Sequence, residues 1–431
     1  MSKQFRLLRE ARLFPLFVTQ FLGAFNDNIL KNAMVILIAF RGPEFSTMDP
    51  GLLVNACAGL FILPFFLFSA SAGQLADKYE KAHLIRLVKI LEVAIVLVAT
   101  LGFWLLSLPW LLIALFLMGT HSALFGPLKY AILPQHLRPE ELVGGNALIE
   151  SSTFLAILLG TIVGGLLIGF AEPLWAGIVC VTVAGLGYLS SRHIPDAPAA
   201  DSTLVLSRNP FAETWRNLKS MGHDKGLFVV MAAISWFWFY GAMFLSQIPA
   251  YTRDLGSNES VTTLFLATFS VGIGIGSLLC ERMSRGRIEP GIVPVGMLGL
   301  SVFAIDLYLA TPAHTVTISN GLQFLTQAGS LRILFDLLMI GVAGGIYCVP
   351  LYAMLQDRAR VTHRSRSIAA TNILNSLFMV AAAILAMVLL GCGLRAVDLF
   401  LITGALNVAT AFWIHRLSPE FLNRLVPSSR K

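Results

Sequence analysis

Gly23, Asp27 and Lys31 recur at four-residue intervals, which sets them on one stripe of a helix, and Asn26 and Asn28 flank the carboxylate. They stand in the stretch "FLGAFNDNILKNAM", inside an apolar run from about 13 to 40. In a membrane-spanning helix a central Asp or Lys costs roughly 2.5 to 3.5 kcal/mol on insertion scales. Counted from Leu13 at 1.5 Å per residue, Asp27 lies roughly 21 Å and Lys31 about 27 Å along the helix. Two arrangements offset the cost. Either Asp27 and Lys31 form an ion pair that neutralises both and serves helix packing, or Asp27 faces a central cavity with Asn26 or Asn28 and binds a cationic group.

Further polar groups lie in other apolar runs. Lys129, near the end of the fourth, and Glu150, about two turns into the fifth, fall at similar depths and are placed to pair. That pair serves either as a structural salt bridge between neighbouring helices or as a cavity cation for a phosphate. His121 reads as a core or cavity-wall histidine. Asn146, Asn372, Asn375 and Gln356 read as interhelical hydrogen-bonding groups, with a cavity role as the alternative. The run Trp236, Phe237, Trp238, Phe239, Tyr240 begins near mid-bilayer, where the interfacial aromatic belt is not expected, and Gln247 follows it. An aromatic wall for an acyl chain and ordinary packing both fit.

The elements that must position these groups follow from composition. Hydrophobic residues make up 56% of the 431 and charged residues 13%, where a soluble domain carries about 25% charged. A soluble fold is excluded. Twelve apolar runs follow one another between residues 13 and 415, most of them reaching the roughly 20 residues that cross a bilayer as a helix. The fold class expected is therefore all-α integral membrane, with twelve transmembrane helices. Apart from Lys31, Arg41, Lys129, Arg253, Arg332 and Arg395, the 31 Lys and Arg fall in segments on one side, four of them around loop 2/3. Both termini are accordingly expected in the cytoplasm. The net charge of +7 is spread over every inner loop, which fits topology and anionic membrane lipids as partners and gives no nucleic-acid patch. The five Cys stand singly, with neither a disulfide framework nor a zinc site, and the first run is read as an uncleaved helix.

Motifs recur between the halves in the same order. "FLGAF" at 21 pairs with "FYGAM" at 239, "GQLADK" at 73 with "GSLLCER" at 276, "PLKYAILPQ" at 127 with "PLYAMLQ" at 350, and "NALIES" at 146 with "NILNS" at 372. Two parallel six-helix pseudo-repeats are expected, 1–193 and 226–431, joined by a cytoplasmic linker at 194–225.

This layout resembles the major facilitator superfamily. "GQLADKYEK" resembles that family's loop 2/3 element at Gly73, Leu75, Asp77, Lys78 and Lys81, and departs from it at Glu80, where a Gly is usual. Gly73 permits close helix approach, and Asp77 with Lys78 is placed to latch the two halves. A solvated helix end is the plainer reading.

A narrower resemblance covers nearly the whole chain. "QFLGAFNDNILK", "GPLKYAILPQ", "ELVGGNALIESSTFLAILLGTIVGG" and "VPLYAMLQ" look like the bacterial lysophospholipid transporters, and "SWFWFYGAMFLSQIP" is similar to the branch found fused to acyltransferases. An Arg expected in helix 7 of the stand-alone branch has no counterpart here, Gln247 being the nearest polar residue. The resemblance implies movement of lysophospholipid across the inner membrane towards the cytoplasm for re-acylation, with a cytoplasmic acyltransferase as a partner and none expected within these 431 residues. Asp27 would then meet the ethanolamine ammonium. A proton-coupled exporter of drugs or soluble metabolites is the alternative, and a receptor or scaffold a third class. No P-loop, enzyme signature or cofactor motif is present.

Overall fold

The computed structural model describes residues 3–41, 50–170, 172–207, 209–220, 224–312 and 321–423; residues 208 and 221–223 of the expected linker lie outside the described residues. Among the described residues all regular structure is helical. Twelve helices among the described residues have 18 residues or more: α1 Phe14–Arg41, α2 Pro50–Lys78, α3 Lys81–Trp104, α4 Leu108–His136, α5 Leu142–Phe170, α6 Leu174–Ser191, α7 Lys225–Asp254, α8 Glu259–Ser284, α9 Ile292–Ala310, α10 Ser330–Arg358, α11 Arg364–Gly391 and α12 Ala396–Leu417. Eleven are long and apolar enough to cross a membrane. The exception is α3, whose first twelve residues carry Lys81, Arg86, Lys89 and Glu92.

Local signals set the helix starts. Asp224 caps α7 by accepting from the Leu227 amide at 3.0 Å, and Asn258 caps α8 through the Ser260 amide at 3.1 Å. Glu80 caps α3, accepting from the amides of Ala82 and His83 at 2.7 and 2.5 Å. This explains its departure from the family pattern. Its backbone is extended (φ −64°, ψ 125°), a conformation that needs no glycine, and its carboxylate also accepts from the Ala197 amide at 2.7 Å, which ties the linker to α3.

Small residues then bring helices together, since lipid gives no hydrophobic drive for helix association. On α5 a Cβ added to Gly160 or Gly164 would lie 2.6 Å from the Phe25 carbonyl or 2.7 Å from that of Ile29, so α5 and α1 meet backbone to backbone. In the second repeat Gly272 and Gly276 of α8 face Gly341 and Gly345 of α10 in the same manner.

The helices gather into two compact units. The first comprises 1–139, 156–223 and 356–376; the second comprises 140–155, 224–355 and 377–431. These boundaries differ from the chain-order halves at two places. The start of α5 belongs to the second unit, and the end of α10 with the start of α11 belongs to the first. The core of the first unit is built from Ile29, Met34 and Leu37 of α1, Ile95 and Phe103 of α3, Leu115 and Met118 of α4, and Cys180 of α6. In the second, Phe400 of α12 stacks on Phe244 of α7 with ring centroids 4.4 Å apart.

Candidate functional site

Polar side chains from α1, α3 and α4 meet inside the first unit. Glu92 is fully buried and accepts from Asn26 Nδ2 at 2.8 Å; its other oxygen pairs with the Lys89 ammonium on the same face of α3 and lies 3.2 Å from His121 Nε2. On the other side of the imidazole, His121 Nδ1 is 3.9 Å from Asp27 Oδ1, and Ser122 donates to Asp27 Oδ2 at 2.5 Å. Glycine makes the room. A Cβ on Gly187 of α6 would stand 2.9 Å from the Lys89 ammonium, and one on Gly23 of α1 would stand 3.3 Å from it.

Burial grades along this chain. Lys89 and Glu92 have side-chain exposures of 1% and 0% and His121 of 2%, while Asp27 retains 15%. Asp27 Oδ1 has no hydrogen-bond partner. The network is thus closed at Glu92 and partly exposed at Asp27, whose Oδ1 is itself buried. A carboxylate with a free oxygen, backed by fixed dipoles in a poorly hydrated site, is suited to holding a small cation.

The pairing of Asp27 with Lys31 does not form among the described residues. Lys31 instead holds its ammonium 5.5 Å from the centre of the Phe61 ring on α2. Asn26 joins the network through Glu92. Asn28 donates to the Ala24 carbonyl at 2.7 Å and packs its Cβ against Gly160, which makes it part of the α1–α5 contact. Lys89 was counted with the loop 2/3 basic residues on sequence grounds, but it is eight residues inside α3 and buried. Lys89 and Glu92 are the two residues that sequence reading missed. Their signal was an oppositely charged i, i+3 pair within an apolar run.

The remaining residues divide between the two units. Lys129 lies 4.7 Å from the centre of the Tyr130 ring in the first unit, and Glu150 is buried in the second. Asn372 sets its amide against Gly126 of α4, and Gln356 donates to the Tyr130 carbonyl at 3.1 Å. In α7 the aromatic run splits by role. Trp236 is buried and donates to Asn407 Oδ1 at 2.7 Å, and buried Tyr240 donates to the Leu300 carbonyl at 2.8 Å, so both rings are tied to neighbouring helices. Trp238 stays partly exposed and donates to the Tyr352 hydroxyl at 3.1 Å. Gln247 is buried and bonds to Ser246 Oγ at 3.0 Å.

A second constellation joins the ends of α2 and α11. Asp77 is fully buried and accepts from the Ser365 amide at 3.0 Å, the Arg366 amide at 3.4 Å and Arg366 Nε at 2.9 Å. These amides belong to the first turn of α11, so Asp77 caps that helix from another part of the chain. Gly73 lets the backbones close: a Cβ there would lie 2.7 Å from Ala369 Cβ and 2.9 Å from Arg366 Cα. Lys78 points away, its ammonium 5.8 Å from the Tyr79 ring.

The sequence profile of the Major Facilitator Superfamily matches residues 16–383. The chain belongs to this superfamily. Among curated members it is 29% identical over 344 residues to the "Lysophospholipid transporter LplT" of Serratia proteamaculans, covering 79% of each chain. It is 30% identical over 350 residues to the protein of the same name from Klebsiella pneumoniae, again covering 79% of each. These relatives of the superfamily chain are named as transporters and not as enzymes. The fold is shared with the crystal structure of the human organic anion transporter MFSD10 (TM-score 0.76, 14% identity, 96% of this chain and 100% of that one). It is also shared with a bacterial homologue of the iron transporter ferroportin in an outward-facing state (TM-score 0.67, 15% identity, the same coverage).

Proposed function

We propose that this chain carries lysophospholipid across the inner membrane towards the cytoplasm by alternating access, supplying it for re-acylation, with lysophosphatidylethanolamine as the best-fitting substrate. The names of its relatives support the substrate class. The observation that carries the headgroup assignment is Asp27: a carboxylate at the partly exposed edge of a buried network, with one buried oxygen unpartnered and no ion pair to Lys31. The ethanolamine ammonium supplies both the charge and the donors that oxygen lacks. In this reading α3 is the twelfth span, because Lys89 and Glu92 neutralise each other inside the protein, and both termini are cytoplasmic. The Asp77 contact with α11 then holds the inner face closed, and Trp238 remains as a wall for the acyl chain.

Asp27→Asn tests the assignment in liposomes. The variant keeps size and the Ser122 contact but removes the charge. Lysophosphatidylethanolamine transport is expected to fall at least about tenfold, equivalent to roughly 1.4 kcal/mol, whereas lysophosphatidylglycerol, which has no amine, loses much less. Equal transport of both lipids by variant and wild type refutes the headgroup assignment. Transport of a soluble dye and of neither lipid would instead support the exporter of soluble metabolites.

A further inference from the structure

The short linker helix Pro210–Ser220 presents to α2 the stripe that a surface helix ordinarily presents to water. Glu213, Thr214 and Asn217, at i, i+1 and i+4, are the buried stripe. Phe211, Trp215 and Lys219, at i, i+4 and i+8, form the opposite stripe, where the two rings are 64% and 70% exposed and Lys219 is exposed with them. Two contacts fix where this helix stands. Gln74 Oε1 on α2 accepts from the Ser207 amide at 3.0 Å, and Thr214 Oγ1 donates to the Phe66 carbonyl at 3.4 Å. Phe66 is eight residues deeper in α2 than Gln74, about 12 Å along the axis, and lies inside the apolar span Ala56–Lys78. The linker therefore climbs beside the part of α2 that crosses the bilayer. Its charges suit that place: Arg216, on the flank between the stripes, holds Nη1 3.2 Å from Glu213 Oε2, which leaves the helix one net positive charge, at Lys219.

We infer that the face formed by Phe211, Trp215 and Lys219 is a binding site for an anionic phospholipid of the adjoining leaflet, in which the two rings pack on its acyl chains and the Lys219 ammonium takes its phosphate. Aromatic rings settle at the boundary between headgroups and chains, and a lysine placed there reaches the phosphate along its apolar stem. Water suits Lys219 and neither ring. A soluble protein partner does not reach a face that stands beside a membrane span, whereas lipid is always in contact with it. Charge complementarity selects the headgroup, because one net positive charge favours an anionic lipid over a zwitterionic one. Lipid seated on this face pins the end of the linker to the flank of α2, as Glu80 and the Asp77 carbonyl pin its start through the amides of Ala197, Ala200 and Asp201. The site uses no residue of the Asp27 network, so its failure leaves the substrate reading untouched.

The test is fluorescence quenching on the full chain in liposomes. Exposed Cys392 is replaced by Ser, the other four Cys being buried, and a bimane fluorophore is attached at Trp215→Cys. The quenchers are brominated phosphatidylglycerol, brominated phosphatidylcholine and, in the water, iodide. Both lipids are expected to quench, and phosphatidylglycerol about fivefold more strongly per molecule, the local enrichment that one basic side chain gives at a leaflet surface. Iodide is expected to have little effect. In Lys219→Gln the two lipids quench alike. A label at Phe211→Cys gives the same reading with Trp215 in place, so the result does not depend on losing either ring. Quenching by iodide and by neither lipid overturns the site. Protection from lipid and iodide alike means that protein covers the face, and overturns it too. Equal quenching by the two lipids with Lys219 present, or a preference that persists in Lys219→Gln, overturns the phosphate contact and with it the anionic site.

Discussion

Asp77→Ala removes one carboxylate and with it three bonds to the first turn of α11. Charge-assisted hydrogen bonds contribute about 1.5 to 3 kcal/mol each, and the Arg366 amide at 3.4 Å adds the least. Breaking a buried charged pair by deleting one partner costs about 3 to 5 kcal/mol. The lower end of that range applies here, because the Arg366 left behind retains 16% exposure and regains water once the contact opens. Every 1.4 kcal/mol is about a tenfold shift. The ratio of closed to open forms at this face therefore drops by roughly two powers of ten, enough to invert an equilibrium poised within a few kcal/mol. The backbone carbonyl of Asp77, which accepts from the Ala200 and Asp201 amides at 2.9 Å, is untouched, so linker docking survives. Spin labels at Tyr79 and Val361, both exposed and in the two facing loops, report the change, with exposed Cys392 first replaced by Ser. A population at longer distance is expected in Asp77→Ala, and a smaller one in Arg366→Ala, which keeps both backbone bonds. Gly73→Leu shifts the distances the same way by steric clash. Unchanged distributions in Asp77→Ala and Gly73→Leu would refute the latch.

Two further expectations concern stability. Glu92→Ala leaves the Lys89 ammonium and the Asn26 amide buried without their partner, at about 3 to 5 kcal/mol, whereas the double variant Lys89→Met with Glu92→Leu recovers most of that; thermal unfolding in detergent reads the difference, and equal melting of the two sinks the pairing. Gly276→Leu forces a side chain into the Val342 backbone of α10 and is expected to cost about 1 to 3 kcal/mol or prevent folding, while Leu at Gly59, which has open space around it, is expected to be neutral in the same measurement.

Much of the fold was legible because lipid permits few solutions: long apolar runs must be helices, and the repeated motifs give their order. The latch was legible in part. Gly73 and Asp77 announced a helix end meeting another element, but that the element is the start of α11 depends on tertiary approach. Glu80 looked like a defect, since one letter does not reveal an extended N-cap with three amides around it. Asp27 and Lys31 have the spacing of an ion pair, yet Phe61 lies on a different helix and no local rule foresees it. Lys89 was misplaced because a basic residue early in a span reads as loop, although here Gly23 and Gly187 open a slot for its chain. The exchange of 140–155 and 356–376 between units follows from how helix ends pack, which chain order does not encode.

The two repeats have diverged in chemistry while keeping their architecture. In the first unit the middle of α1, α3 and α4 carries Asp27, Lys89, Glu92 and His121. In the second, the middle of α7 is held by neutral bonds: Trp236 to Asn407, Asn407 to Ser301 Oγ at 2.9 Å, and Tyr347 to the Ala233 carbonyl at 2.7 Å. Two ion pairs of that unit, Asp306 with Arg332 and Arg395 with Asp398, stand near helix ends and are partly exposed. A carrier of a uniformly polar solute gains from polar groups in both repeats, because each must replace part of the solute's hydration. An amphiphile with one charged end and one apolar chain needs charge in one repeat only, and a second charged site would cost desolvation with no partner to offset it. The gathering of charges into one network in the first unit, against the separate buried carboxylates Glu150 and Asp336 of the second, therefore favours an amphiphilic substrate over a soluble one.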